Sequence, residues 1–316
     1  MEETYFIENN LFIWTELYRP LNIDYCILPD SMKVEFNGLI KKKVLPNLIL
    51  KGTAGVGKTT IARALCEQLG CDYIIVNGSG GLNVDELRVR VTDFVTSVSL
   101  SGKRKCVLVD EADGMSHKVQ DELRGFIEAH TKNVFFIFTC NFANKIITPI
   151  HSRCSVIDFR LAKEDKPAMA KKFMERVKEI LKIENVTFDN KVLAQVVMNY
   201  FPDFRRTLNE LQRYSAGGTI DAGILTKSVE SDVSDLILTI KEKSFKKMRQ
   251  WCENNSDGDF NLIYSKLFDS LLDQVNEVPQ AVLIISEAAY REYFCVNKVI
   301  NLVACCTELM GSVSFK

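Results

Sequence analysis

The chain has 316 residues, 47% of them hydrophobic and 26% charged, with a formal net charge of −1. That length exceeds one ordinary core, so two or three domains are expected, and the near-neutral balance excludes a protein coated in basic charge. No apolar window is long enough for a membrane span, and the start Met1-Glu2-Glu3-Thr4 lacks a signal peptide's basic flank and apolar core, so a soluble cytoplasmic protein with no membrane partner is expected.

Along the first half, apolar runs of strand length at 47–50, 73–76, 106–109, 134–140 and 156–159 alternate with helical patterns near 58–69, 84–98 and 117–130. This alternation predicts an α/β unit with a parallel sheet covered on both faces, and a ligand at the carboxyl ends of its strands. The basic run Lys41-Lys42-Lys43 follows a helical stretch and reads as a solvated helix end, where cations suit the dipole.

After about residue 161 no strand signal is expected. Met169, Phe173, Met174, Val177, Ile180 and Leu181 recur at helical spacing, 189–199 and 203–215 repeat the pattern, and Gly217-Gly218 closes a helix. From about 230 onward the pattern is again helical, with an exposed turn at Ser256-Asp257-Gly258-Asp259 and Pro279 near a helix start. The expected division is therefore 1–160, 161–229 and 230–316. Ten cysteines without a C-x-x-C pair fit buried thiols in a reducing compartment, and His117, His130 and His151 are too dispersed for a metal site.

Chemistry concentrates in the first unit. Gly52-Thr53-Ala54-Gly55-Val56-Gly57-Lys58-Thr59, followed by Thr60, is a full G-x-x-x-x-G-K-[ST] loop between an apolar run and a helical pattern. Glycines allow the tight turn that aims backbone N–H groups at phosphate oxygens. Lys58 reaches the β- and γ-phosphates, and Thr59 offers a hydroxyl to Mg²⁺. About fifty residues on, the strand ending Val109-Asp110-Glu111 delivers two carboxylates, Asp110 suited to ligating the metal and Glu111 to orienting or deprotonating water. Asn141, at the tip of the run from Val134, suits holding that water or sensing the γ-phosphate, although Asn also commonly ends a strand in a turn. The expected cofactors are ATP and Mg²⁺.

Further along, Ser152-Arg153-Cys154 is similar to the Ser-Arg-Cys box of sliding-clamp loaders. Thr15-Glu16-Leu17-Tyr18-Arg19-Pro20 resembles a segment near their N-termini, and Phe201-Pro202-Asp203-Phe204-Arg205-Arg206 resembles their second sensor. With the phosphate loop and the acidic strand, five ordered motifs over essentially the whole chain make it resemble the clamp-loader large subunits of T4-type bacteriophages and, more distantly, replication factor C small subunits. The resemblance implies an AAA+ ATPase core, a helical lid and a helical collar that joins subunits, acting in the host cytoplasm if phage-encoded.

Site roles follow from the same resemblance. Arg153 would be an arginine finger serving a neighbouring protomer, and Arg205, with Arg206 as competitor, would approach the γ-phosphate from the lid. Glu16, Leu17, Tyr18, Arg19, Pro20 and Ile27 would line the adenine pocket. Gln120 and Arg124, four residues apart on one helix and near Lys118, would relay DNA binding to Glu111, and Arg88, near the stretch from Asn77 to Asp85, would meet DNA phosphate. A basic residue common in the family is replaced by Leu82-Asn83, which weakens that contact. Implied partners are other copies of the chain, a distinct small subunit, the sliding clamp, and primer-template DNA through its backbone. A helicase loader or branch-migration motor, and a nucleotide-binding scaffold without turnover, are the other readings.

Overall fold

The computed structural model describes residues 12–43, 45–80, 83–97, 104–130, 133–221, 223–224, 233–256 and 260–316. The chain divides into two compact units, Met1–Leu225 and Thr226–Lys316. Within the first, α1 (Trp14–Leu17) and α2 (Asp30–Lys42) precede β1 (Leu48–Lys51), α3 (Lys58–Gln68), β2 (Asp72–Asn77) and α4 (Val84–Thr96). There follow β3 (Lys105–Asp110), α5 (His117–His130), β4 (Val134–Cys140), α6 (Thr148–His151) and β5 (Ser155–Asp158).

The five strands form one parallel sheet in the order β2-β3-β4-β1-β5. The strands are near-continuous apolar runs because the period-2 alternation of side chains feeds two cores. Leu48, Leu50, Cys106, Leu108, Phe135 and Ile137 pack with Phe36 of α2 and Ile61 and Leu65 of α3. Their neighbours Ile49, Val107, Val109, Phe136 and Phe138 pack on the other face with Leu87 and Val91 of α4 and Leu123 and Ile127 of α5. Every residue of β4 is buried, as its central place requires. With β4 between β3 and β1, the loops after these three strands open side by side at one edge. Lys43, in the left-handed region after α2, places the basic run at a helix end as expected.

The rest of this unit comprises α7 (Asp165–Ile183), β6 (Thr187–Phe188), α8 (Asn190–Tyr200), α9 (Phe204–Ser215) and β7 (Thr219–Ile220). Asp189 and Asp203 cap α8 and α9, each accepting a backbone N–H in the first turn. Their apolar faces enclose Phe173, Val177, Leu193, Val196 and Leu211, with Trp14 from α1 in the same cluster. One expectation fails here: β6 and β7 form a parallel ladder where no strand was foreseen. Two-residue strands leave no alternation to read.

The second unit is helical: α10 (Val233–Lys241), α11 (Phe245–Asn254), α12 (Phe260–Leu271), α13 (Val278–Arg291) and α14 (Lys298–Ser312) surround one apolar cluster. Pro279 lies in the first turn of α13, where a missing N–H costs nothing. The expected turn at 257–259 and the 229/230 boundary lie outside the described residues. No helix among the described residues is long and apolar enough to cross a membrane.

Candidate active site

The loop from β1 to α3 turns through Gly55 at φ +75° and Gly57 at φ +91°, a left-handed region that glycine enters without cost. Gly57 is the residue preceding α3, so the first N–H groups of that helix open beside the loop as an anion site. Lys58 is only 8% exposed. Its Nζ donates to the carbonyls of Gly52 (2.8 Å) and Thr53 (2.7 Å) and to Asn141 Oδ1 (2.8 Å). Burial pushes its pKa below the usual lysine value, with Cys140, Asp113 and Asp110 opposing the shift.

Asp110, at the end of β3, accepts at Oδ1 from the Thr59 hydroxyl (2.7 Å) and from Thr139 (2.5 Å). The next residue, Glu111, is exposed and sits at φ +52°, ψ +45°, a conformation that non-glycine residues adopt only where their surroundings hold them. Its N–H donates to Thr139 Oγ1 at 3.1 Å. Asp113 accepts the N–H groups of Asn141 (3.2 Å) and Phe142 (3.0 Å), fixing the turn after β4. The Thr59–Asp110 pair is a hard-oxygen set of the kind that holds Mg²⁺ together with phosphate oxygens rather than in an all-protein cage. No group of three or more His, Cys, Asp or Glu among the described residues could hold a metal ion.

Beside the loop lies a cleft of about 140 Å³. Gly55, Val56, Gly57, Lys58, Thr59 and Thr60 form one wall. Tyr18, Arg19, Pro20 and Ile27 form a second, and Arg205 enters from α9. Arg206 turns elsewhere, its guanidinium 5.1 Å from the centroid of the Tyr200 ring. The Tyr18 hydroxyl donates to Glu184 (2.5 Å), and burial with this contact raises its pKa far above the usual value. Burial pushes the Cys26 thiol, also lining the cleft, up to about 12, so it is neutral near pH 7.

Not every predicted residue gathers here. Glu16 pairs with Arg19 and, at 3.9 Å, with Arg63, while Leu17 is half exposed; neither lines the cleft. Gly52 and Thr53 serve through their carbonyls to Lys58, and Ala54 is exposed at the loop tip. Arg153 lies outside the cleft, bonded to Glu128 of α5 (2.5 Å) and to the Pro149 carbonyl (2.8 Å).

The expected DNA-facing set is also divided. Arg88 makes a two-pronged pair with Glu122 of α5 at 2.9 and 3.1 Å, so its charge is partly answered within the molecule. Lys118 and Arg124 are exposed. Gln120, expected on the same relay face as Arg124, is 1% exposed. Its amide is spent on the carbonyls of Met115 and Lys145 and on the Ile147 N–H, so it braces α5 against the turn before α6 and presents nothing to solvent. Leu82 lies outside the described residues, and Asn83 caps α4 through Glu86 N–H at 2.7 Å.

The sequence reading passed over Thr139, Asp113 and Glu128, and also Phe173, Arg176, Ile180, Phe204 and Leu208, which line the cleft from α7 and α9. The lid residues read as an ordinary amphipathic pattern, and only the tertiary fold shows which of them meet the loop. Thr139 had one readable signal, a hydroxyl in an otherwise apolar buried strand.

Comparisons with known proteins bear on this arrangement. Residues 48–161 match the ATPase family associated with various cellular activities, and residues 165–226 match the lid domain of the sliding-clamp-loader large subunit. The sliding-clamp-loader large subunit of Escherichia phage RB69 is 40% identical over 276 residues, 85% of each chain. That of Enterobacteria phage T4 is 37% identical over 279 residues, 86% of each. A replication factor C small subunit of Methanothermobacter thermautotrophicus is 29% identical over 74% of this chain and 71% of its own. Among solved structures, a variant of Thermotoga maritima RuvB superposes with a TM-score of 0.58 at 16% identity, covering 89% of this chain and 90% of its own, a likeness of fold alone.

Proposed function

Because the chain belongs to the sliding-clamp-loader large-subunit family of AAA+ ATPases, we propose that its ATPase cycle opens a ring-shaped sliding clamp and delivers it to primer-template DNA. In this reading ATP binding favours the arrangement that grips the clamp and DNA, and DNA-stimulated hydrolysis releases the closed ring. The observation that carries it is the convergence of Lys58, Thr59, Asp110 and Asn141 at one sheet edge, beside a cleft that also receives Arg205.

That geometry supports the following roles. Lys58 and the N–H groups at the start of α3 hold the β- and γ-phosphates, Arg205 meets the γ-phosphate from the lid, and Asn141 orients Lys58 and the attacked phosphoryl group. Glu111 orients the water. Thr59 and Asp110 would hold Mg²⁺, which when bound neutralises charge on the phosphate oxygens. Tyr18, Pro20 and Ile27 give the adenine an aromatic and apolar slot, with Arg19 at the same wall.

Residues 1–160, 161–229 and 230–316 act as core, lid and collar, and the collar joins several copies of the chain with a distinct small subunit. Arg153 serves a neighbouring protomer's nucleotide; its exposure at the surface supports that placement. Arg124, Lys118 and Arg88 meet the DNA backbone, which is read by charge and shape.

The test is steady-state ATP hydrolysis by the chain assembled with its small subunit, with and without primer-template DNA and clamp, beside Glu111→Gln and Arg153→Ala. Strong stimulation by DNA plus clamp, abolished by Glu111→Gln and cut by Arg153→Ala by about the 10³–10⁵-fold typical of an arginine finger, is expected. Turnover indifferent to DNA and clamp would overturn the proposal.

A further inference from the structure

We infer that Thr139 is a positioning residue that sets both the metal-side carboxylate and the backbone of the catalytic glutamate. The inference rests on the roles proposed above for Asp110 and Glu111. Thr139 is 1% exposed, on the central strand β4, and its side chain faces β3. Its single hydroxyl proton goes to Asp110 Oδ1 at 2.5 Å, and its oxygen takes the Glu111 N–H at 3.1 Å.

The two bonds fix each other. An ionised carboxylate only accepts and a backbone N–H only donates, so the hydroxyl must donate to one and accept from the other. Asp110 Oδ1 therefore receives two hydroxyls, from Thr59 on α3 and Thr139 on β4, which pin the carboxylate between the two elements. Glu111 gains a partner for its N–H at a residue whose backbone lies in the left-handed region, at φ +52°. Remove the hydroxyl and two consequences follow together: Asp110 loses one of two braces, and the turn that presents Glu111 is free to relax toward ordinary backbone angles. Asp110 meets the phosphate loop through the Thr59 hydroxyl, and neither effect removes a group proposed to hold phosphate, so nucleotide affinity without metal is spared.

The test uses the full chain with Thr139→Val, which keeps the shape and deletes the hydroxyl, Thr139→Ala as a less bulky second deletion, and Thr139→Ser, which restores the hydroxyl. A fluorescent ATP analogue is titrated with Mg²⁺ and with EDTA, and turnover is read in the assembled complex. Expected is a loss of about 10- to 100-fold in kcat and in the Mg²⁺-dependent gain in affinity for the Val and Ala variants, the factor carried by a hydrogen bond to a charged group. Metal-free affinity should change by less than about twofold, the margin for a group remote from the phosphates, and Thr139→Ser should recover most of both losses. Unchanged Mg²⁺ linkage in Val and Ala, or a Ser variant as impaired as they are, would overturn the inference. Asp110→Asn separates the two layers: if it leaves the Mg²⁺ gain intact, the metal-site reading fails, whereas if it abolishes the gain that Thr139→Val retains, only the role of Thr139 fails.

Discussion

Gly55→Ala should damage the lid as well as the phosphate loop, because Gly55 touches the start of α9. Its carbonyl accepts the Phe204 N–H at 3.1 Å. A Cβ built at Gly55 would overlap the Asp203 carboxylate, whose Oδ1 caps α9 through the Arg206 N–H at 2.9 Å. Alanine at φ +75° costs about 1–2 kcal/mol for the left-handed backbone. Displacing Asp203 removes a cap worth about 1 kcal/mol. The sum is about 2–3 kcal/mol for Gly55→Ala, against about 1 kcal/mol for Asp203→Ala alone. In the double variant the cap is lost only once, so Asp203→Ala should cost almost nothing there, a coupling of about 1 kcal/mol. Urea unfolding followed by Trp14 fluorescence in a Trp251→Phe background reads this directly, since Trp14 packs in the same cluster as Leu211 of α9. Were Asp203→Ala equally costly with Gly55 intact and in the Gly55→Ala background, the proposed contact between loop and cap would be refuted.

Asn141→Ala removes a hydrogen bond to the Lys58 ammonium, and kcat should fall by about 10- to 100-fold with the KM for ATP within a few-fold, measured by steady-state turnover. Arg205→Ala should weaken ATP binding by about tenfold or more, as expected for loss of a charged phosphate contact, whereas Arg206→Ala, whose side chain lies over Tyr200, should leave the titration unchanged. Asp158 has its pKa lowered to about 2 by its hydrogen bonds from Arg160 and Lys51. Its stabilising contribution is therefore complete above the unfolded value of about 3.9 and is lost as pH falls toward 2. Asp158→Asn should flatten that part of the acid-unfolding curve, and an unchanged acid limb would dismiss the assignment.

The parallel sheet was legible because burial on both faces makes a parallel strand a short, unbroken apolar run, and all five such runs lie within a residue of observed strands. The phosphate loop and the Asp110-Glu111 pair were legible because their chemistry is contiguous in sequence. Contacts that cross the fold were not. Thr139 acts on Asp110 twenty-nine residues away, Tyr18 on Glu184 across 166, and Arg153 on Glu128 across 25. A single sequence carries no periodic or compositional trace of such pairs. Gln120 is a further case: its spacing from Arg124 gives a shared helix face, but not that backbone donors and acceptors of neighbouring loops hold its amide in the interior.

The Arg153–Glu128 pair looks at first like an obstacle to a role in trans, since it occupies the guanidinium that is proposed to reach a neighbour's phosphate. Its energetics argue otherwise. Glu128 is half exposed and Arg153 is about a third exposed, and ion pairs in such surroundings contribute about 0–1 kcal/mol. A polyphosphate approaching from another protomer offers a guanidinium more charge and several acceptor oxygens, and does so in a desolvated interface where each contact counts for more. The pair therefore costs the assembled site little. Before assembly it limits the rotamers of a long side chain, so part of the ordering entropy is already lost when the neighbour arrives. By this argument Glu128→Gln should leave protomer stability nearly unchanged and alter turnover only in the assembled complex. A change in the isolated chain's own turnover would mean that Arg153 acts within its own protomer.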